Sequence, residues 1–309
     1  MTSSERPARV TPRYAPDDPR VQRNAGQVAR PAWLKVPAPR GEQYQELKTL
    51  VRVQRLHTVC ESARCPNIGE CWQSRTATFL ILGDTCTRRC AFCAVISGQP
   101  GAYDIDEPRR VGEAVAALRL RYAVVTSVTR DDLPDGGAFI FAETIRQIRL
   151  LSPACKVEVL IPDLQGDREA LAAVLAARPD VLNHNIETVQ RLYSLVRPQA
   201  DYQRSLALLA AVRAIDAASA TKSGIMLGLG ETEEEIVATL SDLRTAGVEI
   251  VTIGQYLRPS TGHVPVQKYY EPTEFAHYAD IGHALGFRHV ESAPLVRSSY
   301  HAREQAEGE

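Results

Sequence analysis

Six of the seven cysteines in this 309-residue chain fall between Cys60 and Cys93, and only Cys155 stands apart. Cys86-Thr-Arg-Arg-Cys90-Ala-Phe-Cys93 is a C-x3-C-x2-C arrangement, so one tight loop can aim three thiolates at a single inorganic centre. Structural zinc wants four protein ligands, usually from two separated pairs. A 4Fe–4S cube held by three cysteines instead keeps one iron open for a substrate or cofactor. Upstream of it, Cys60-Glu-Ser-Ala-Arg-Cys65-Pro-Asn-Ile-Gly-Glu-Cys71 is the first triplet in chain order, C-x4-C-x5-C, with only fourteen residues between it and Cys86. Six thiolates exceed what one cube needs, so the two triplets read as two clusters, each short of one protein ligand. A zinc knot completed from elsewhere in the chain is the competing reading of the spacing alone.

Composition narrows the setting for that chemistry. With 44% hydrophobic and 24% charged residues the chain matches an ordinary soluble fold rather than a disordered or disulfide-stapled one. Lys plus Arg number 36 against 37 Asp plus Glu, so no global basic field draws the chain to nucleic acid or to an anionic membrane. Apolar runs such as residues 78–83 and 123–126 fall far short of the 18 or more residues that span a bilayer. Glu5, Asp17 and Asp18 lie among prolines with no apolar signal core, which favours a cytoplasmic protein. In that compartment dense cysteine binds metal or does catalysis more often than it forms disulfides.

The elements that must position the thiolates follow from periodicity. Residues 1–40 hold seven of the 19 prolines and read as an extended, partly disordered arm whose Trp33-Leu34 pair can dock on the body. Residues 41–75 carry a short amphipathic helix and the first triplet. From residue 76, apolar runs at 78–83, 122–128, 156–162, 181–185, 223–228 and 249–256 alternate with helical periods at 111–120, 138–151, 168–177, 189–195 with 204–215, and 233–246. Six βα units in series predict a parallel sheet, doubly wound or curved into part of a barrel. In either case functional groups gather at the carboxyl ends of its strands. Residues 291–309 read as a tail, polar and frayed from Arg303 onward.

The C-x3-C-x-aromatic-C loop, with Phe92 before its last cysteine, resembles the radical S-adenosylmethionine superfamily. The whole chain from about Trp33 to His301 is similar to the lipoyl synthase family within it. Both cysteine motifs stand in the family's order, followed by Arg130-Asp131-Asp132-Leu133-Pro134-Asp135-Gly136-Gly137, His184-Asn185-Ile186-Glu187-Thr188, Gly228-Leu229-Gly230-Glu231-Thr232, Gln255-Tyr256-Leu257-Arg258-Pro259 and Arg297-Ser298-Ser299-Tyr300. The resemblance implies a partial parallel (β/α)6 barrel spanning 76–290, an auxiliary-cluster extension over 41–75 and a C-terminal tail over 291–309. It implies that Cys86, Cys90 and Cys93 hold a 4Fe–4S cluster whose open iron chelates S-adenosylmethionine, yielding a radical that takes hydrogen from an unactivated carbon. Cys60, Cys65 and Cys71 would hold a second, auxiliary 4Fe–4S cluster, with Ser299 as its fourth ligand and Ser298 as the nearest rival. The implied reaction puts sulfur from that cluster at C6 and C8 of a protein-bound octanoyl chain.

Other residues are weighed one by one. Gly136 and Gly137 either let the backbone approach the cofactor or simply make a turn. Asn185, Glu187 and Arg197 are candidate S-adenosylmethionine contacts, against readings as caps and a solvated charge. The segment 228–231 is too short to be a phosphate loop and suits a tight turn beside the cofactor. Residues 255–257 could wall the octanoyl channel or pack in the core. Arg88 and Arg89 could balance cluster charge or present a basic face to an acidic partner, the alternative being solvated surface. Cys155 reads as a packed thiol. The expected partners are an octanoylated lipoyl carrier domain or glycine cleavage H-type protein, reduced flavodoxin or ferredoxin, and an iron-sulfur carrier. Two rivals remain at this point: a methylthiolating radical enzyme of two-cluster design, and a zinc-bearing binding module.

Overall fold

The computed structural model describes residues 30–36, 39, 41–63, 65–74 and 76–307. Most of the expected N-terminal arm therefore lies outside the described residues. At its end Leu34 is fully buried while Trp33 is exposed, so one member of the docking pair seats on the body.

Among the described residues a sheet of eight strands runs in the order β1-β2-β5-β6-β7-β8-β9-β10. Its parallel members are β2 (Thr76–Ile81), β5 (Tyr122–Ser127), β6 (Lys156–Leu160), β7 (Val181–Asn183), β8 (Ala220–Leu227), β9 (Ile250–Gln255) and β10 (His289–Ser292). The short β1 (His57–Thr58) adds antiparallel to β2. Strands β1 and β10 stand at opposite edges, so the sheet is an open, partial barrel. Strands β2 and β9 are buried along their whole length, which is why they read as continuous apolar runs rather than alternating ones.

Helices α4 (Glu107–Ala117), α5 (Ala138–Leu151), α6 (Arg168–Ala176), α8 (Tyr202–Ile215) and α9 (Glu233–Thr245) connect these strands. Their starts are written locally: the Asp167 and Asp201 side chains accept first-turn amides, and Thr232 with Glu235 forms a capping box. The sequence reading ends the repeats at β9, whereas the structure adds α10 (Pro272–Ala284) and the seventh parallel strand β10. That strand escapes periodicity because it is four residues long and buries only Val290.

The tail is also more ordered than its polarity suggests. Residues Ala302–Glu307 form α11, with Ala302 fully buried against Tyr122 and Val124 of β5. Those two residues point away from Ala123 and Val125, which pack with the outer helices, so α11 sits on the inner face. Deeper on that face Lys222 Nζ donates to both Glu158 oxygens at 3.0 and 3.1 Å, and Tyr122 and Asn183 donate to the same carboxylate. A buried pair persists because its charges are matched and hydrogen-bonded.

Candidate active site

Two short strands, β3 (Thr85–Cys86) and β4 (Ile96–Ser97), pair in parallel and pinch the loop that carries Cys86, Cys90 and Cys93. All three thiols are half-buried. The loop is tied to the segments that follow β7 and β9: Ala91 N–H donates to Val196 O, and Val264 N–H donates to Ala91 O. The His263 imidazole bridges Ser260 and the Cys93 carbonyl. Because a carbonyl only accepts, Nε2 carries a proton toward Cys93 O. Two backbone amides, of Arg88 and Thr129, donate to Cys86 Sγ at 3.4 and 3.3 Å. Amides aimed at a sulfur are what a cluster thiolate needs, since each bond stabilises its negative charge.

Across the barrel mouth, the end of β7 delivers Asn185 and Glu187. Asn185 Nδ2 donates to Glu187 Oε1 at 3.1 Å, and Arg197 Nη1 donates to the carbonyls of Asn185 and Ile186 and to Tyr193 Oη. Burial pushes the Glu187 carboxyl up, with Arg197, Asn185 and Arg297 opposing it. The buried Asn185 Oδ1 and Arg197 Nε have no partner among the described residues. An unmet buried polar atom costs about 1–3 kcal/mol, so an acceptor and a donor here await a polar ligand. An amino acid end with its amine and carboxylate fits both.

The first triplet lies on α2 (Val59–Ser62), the following turn and α3 (Ile68–Gln73). Burial pushes all three thiols up, Cys60 to about 12, and the neighbouring thiols of the triplet add to the rise at Cys60 and Cys71. The three therefore share one electrostatic neighbourhood. The buried Trp72 Nε1 lies beside Cys60, and its N–H opposes the rise of that thiol. Among the described residues no group of three His, Cys, Asp or Glu is placed to hold a metal ion. A cube, being larger than one ion, needs its thiolates farther apart.

The tail closes this site. Gly254 lets it cross β9: a Cβ there would stand 2.2 Å from Val296 O. Asn67 Nδ2 donates to Leu295 O at 2.7 Å, Asn185 Nδ2 to Ser298 Oγ at 2.6 Å, and Tyr300 Oη and His301 Nε2 meet the Glu70 carboxylate. Ser299 thus lies between a residue held at the end of β7 and residues held on α3. Asn67, Glu70 and His301 were not candidates from sequence; the only signal they leave is polarity inside or beside a motif.

The radical SAM superfamily model matches residues 80–243, and the model for the N-terminal domain of lipoyl synthase matches residues 5–65. A lipoyl synthase from Rubrobacter xylanophilus is 60% identical over 282 residues, covering 91% of this chain and 88% of that protein. One from Koribacter versatilis is 59% identical over 277 residues, covering 90% of this chain and 91% of that protein. The chain belongs to the lipoyl synthase family. Members of this radical SAM family use 4Fe–4S clusters and S-adenosylmethionine. Solved structures of a hydrogenase maturase, HydG (TM-score 0.54, 16% identity, covering 87% of this chain and 60% of that one), and of methylornithine synthase, PylB (0.52, 12%, 80% and 81%), share the fold.

Several weighed residues now find their places in the lipoyl synthase framework. Gly137 has φ 91°, and the room a Cβ would need is filled by Leu82 Cδ1 at 2.3 Å. With Asp135 accepting the amides of Gly137 and Phe139, the glycine pair makes the turn into α5. Glu231 folds back to accept the amides of Gly228 and Leu229, so that segment is a self-contained turn. Gln255 and Tyr256 are buried and bonded to backbone around them, which favours core packing over a channel wall. Cys155 is a packed thiol, raised by burial to about 11. Arg88 is neither solvated nor part of a basic face: it is buried between Asp131 and Asp163. Arg89 is exposed, and its amide donates to Gln199 Oε1.

Proposed function

We propose that this enzyme replaces one hydrogen at C6 and one at C8 of a carrier-bound octanoyl chain with sulfur. Cys86, Cys90 and Cys93 would hold the radical cluster, and Cys60, Cys65, Cys71 and Ser299 the auxiliary one. When bound, these groups and S-adenosylmethionine supply hydrogen-atom abstraction from alkyl carbons and the sulfur itself, which no acid–base residue could provide. Asn185, Glu187 and Arg197 bind the polar end of S-adenosylmethionine, while Gly136 and Gly137 turn the chain beside it.

The observation that carries this reading is the tail. Ser298 on Asn185 and Tyr300 on Glu70 tie the cofactor face to the first triplet, with Ser299 between them. A serine oxygen is a weaker iron ligand than a thiolate, so the bond it makes is one that turnover can open. The methylthiolating and zinc-module rivals offer no reason for a tail clamped onto both places.

Residues 41–75 form the auxiliary-cluster unit in this reading, 76–290 the barrel, 291–309 the tail, and 1–40 a preceding arm. No helix among the described residues is long and apolar enough to cross a membrane. The substrate is an octanoylated lipoyl carrier domain or H-type protein. Reduced flavodoxin or ferredoxin supplies electrons, an iron-sulfur carrier restores the auxiliary cluster, and a cytoplasmic setting keeps the thiols reduced. The test is iron and acid-labile sulfide per chain after anaerobic reconstitution, with octanoyl-peptide products followed by mass spectrometry. About eight irons with a dithiolated peptide support the reading; zinc without sulfide sinks it.

A further inference from the structure

Arg88 lies inside the radical loop, yet the chemistry proposed above gives it nothing to do. Its Nε and Nη2 donate to Asp131 Oδ2 and Oδ1 at 2.7 and 2.8 Å, and its Nη1 and Nη2 donate to Asp163 Oδ2 and Oδ1 at 2.9 and 2.6 Å. Asp163 is fully buried and also meets Arg204 Nε at 3.0 Å. Two bidentate forks, one from the end of β5 and one from the end of β6, leave the guanidinium plane no freedom. Two arginines against two aspartates are neutral in sum, so the group carries no net charge. Its direct link to the cysteines is the backbone.

That backbone leads to one sulfur. The Arg88 amide donates to Cys86 Sγ, while the Arg88 carbonyl accepts from Ser97 Oγ at 2.8 Å. Thr129 supplies the second amide on Cys86 Sγ. Its carbonyl accepts Thr87 N–H at 3.0 Å and Thr87 Oγ1 at 2.9 Å, and Asp131 N–H returns to Thr87 Oγ1 at 3.1 Å. Asp131 therefore fixes Arg88 with its side chain and Thr87 with its amide. Both hydrogen bonds to the Cys86 sulfur hang on the same brace.

We propose that the brace of Arg88, Asp131 and Asp163, closed by Thr87, sets the reduction potential of the cluster on Cys86, Cys90 and Cys93 by holding two amides on the Cys86 sulfur. This rests on reading that loop as the radical-cluster site. Reduction adds negative charge to the cluster and its sulfurs. An N–H dipole stabilises the reduced form more than the oxidised one and so raises the potential. Arg88 and Thr87 are positioning residues here, acting through the amides and not on substrate.

The test is an EPR-monitored redox titration of the reconstituted full-length chain and of Arg88→Lys, Asp163→Asn and Thr87→Val. The expected result is a more negative midpoint for the radical cluster in all three, with iron and sulfide at wild-type levels and the auxiliary cluster's midpoint unmoved. At a fixed applied potential the ratio of reduced to oxidised radical cluster should fall by roughly three- to tenfold, the scale of one lost hydrogen bond. Thr87→Ser, which keeps the hydroxyl, should return to the wild-type midpoint. Should either charge variant fail to keep its cluster, Thr87→Val, which leaves both ion pairs in place, decides the matter. An unchanged midpoint in cluster-replete Thr87→Val overturns the proposal, as does an equal shift of both clusters. If the wild-type loop binds no iron at all, the site assignment falls instead, and that outcome is distinguishable from the first two.

Discussion

Asn185 and Ser298 stand 113 positions apart in the chain, yet the amide nitrogen of the first lies 2.6 Å from the hydroxyl oxygen of the second. One end of β7 and the C-terminal tail are thereby joined at the barrel mouth. The same amide also donates to Glu187, so one side chain serves Glu187 and the tail together.

Asn185→Ala removes both bonds and the orphaned oxygen that we assign to S-adenosylmethionine. Binding of S-adenosylmethionine, measured anaerobically by equilibrium titration, should weaken by about 1–2 kcal/mol, or roughly five- to thirtyfold. An unaltered Kd would remove Asn185 from the cofactor site.

The two triplets should separate in their effects. Cys90→Ala is expected to abolish cleavage of S-adenosylmethionine, read as loss of 5′-deoxyadenosine. Cys65→Ala is expected to keep that cleavage and lose sulfur insertion. Retained 5′-deoxyadenosine in the first variant refutes the radical-loop assignment. Lipoylated product at one equivalent per enzyme in the second would exclude the auxiliary cluster as the sulfur source.

Acid should weaken the fold through His184. Burial pulls this imidazole down to about 4, Arg197 adds to the fall, and the ring is held between Ile161 O and Ser205 Oγ. An unfolded histidine titrates near 6.5, so between about pH 6.5 and 4 the unfolded state binds a proton that the folded state refuses. Stability is full above the unfolded value and falls as pH drops, by up to about 3 kcal/mol from this group. Urea unfolding at pH 7 and pH 5 measures it, and His184→Gln should flatten the difference.

Within the barrel, Glu158→Gln leaves the fully buried Lys222 ammonium without its counter-charge. A loss of about 3–5 kcal/mol is expected, while Lys222→Met with Glu158→Leu, made in a chain that also carries Tyr122→Phe and Asn183→Leu so that no donor to the carboxylate is orphaned, should cost less. Denaturant titration of the three chains distinguishes a matched pair from a merely polar interior. Equal losses in both variants would contradict the account.

Much of this architecture is legible in the order of residues. The six main-sheet strands β2, β5, β6, β7, β8 and β9 announce themselves as apolar runs between helices, and the cysteine spacing is itself a ligand pattern. What escapes is short, polar or distant. Strand β10 buries one side chain of four, and α11 hides in a tail rich in charge. Arg88 reads from sequence as a charge for the cluster, for an acidic partner or for solvent, because nothing local reveals Asp163, 75 positions away.

Residue order alone settles which thiols share a loop, because ligands a few residues apart are held near one another by covalent geometry. It also determined the alternation of strands and helices, since each element's buried face is written at its own period. It takes the folded barrel to bring Ser298 to Asn185 and Glu70 to Tyr300, and to immobilise Arg88 between two aspartates. Those contacts depend on the order and register of parallel strands and on how far the open sheet curves. They are set by the packing of the whole barrel, and no local stretch of chain encodes them.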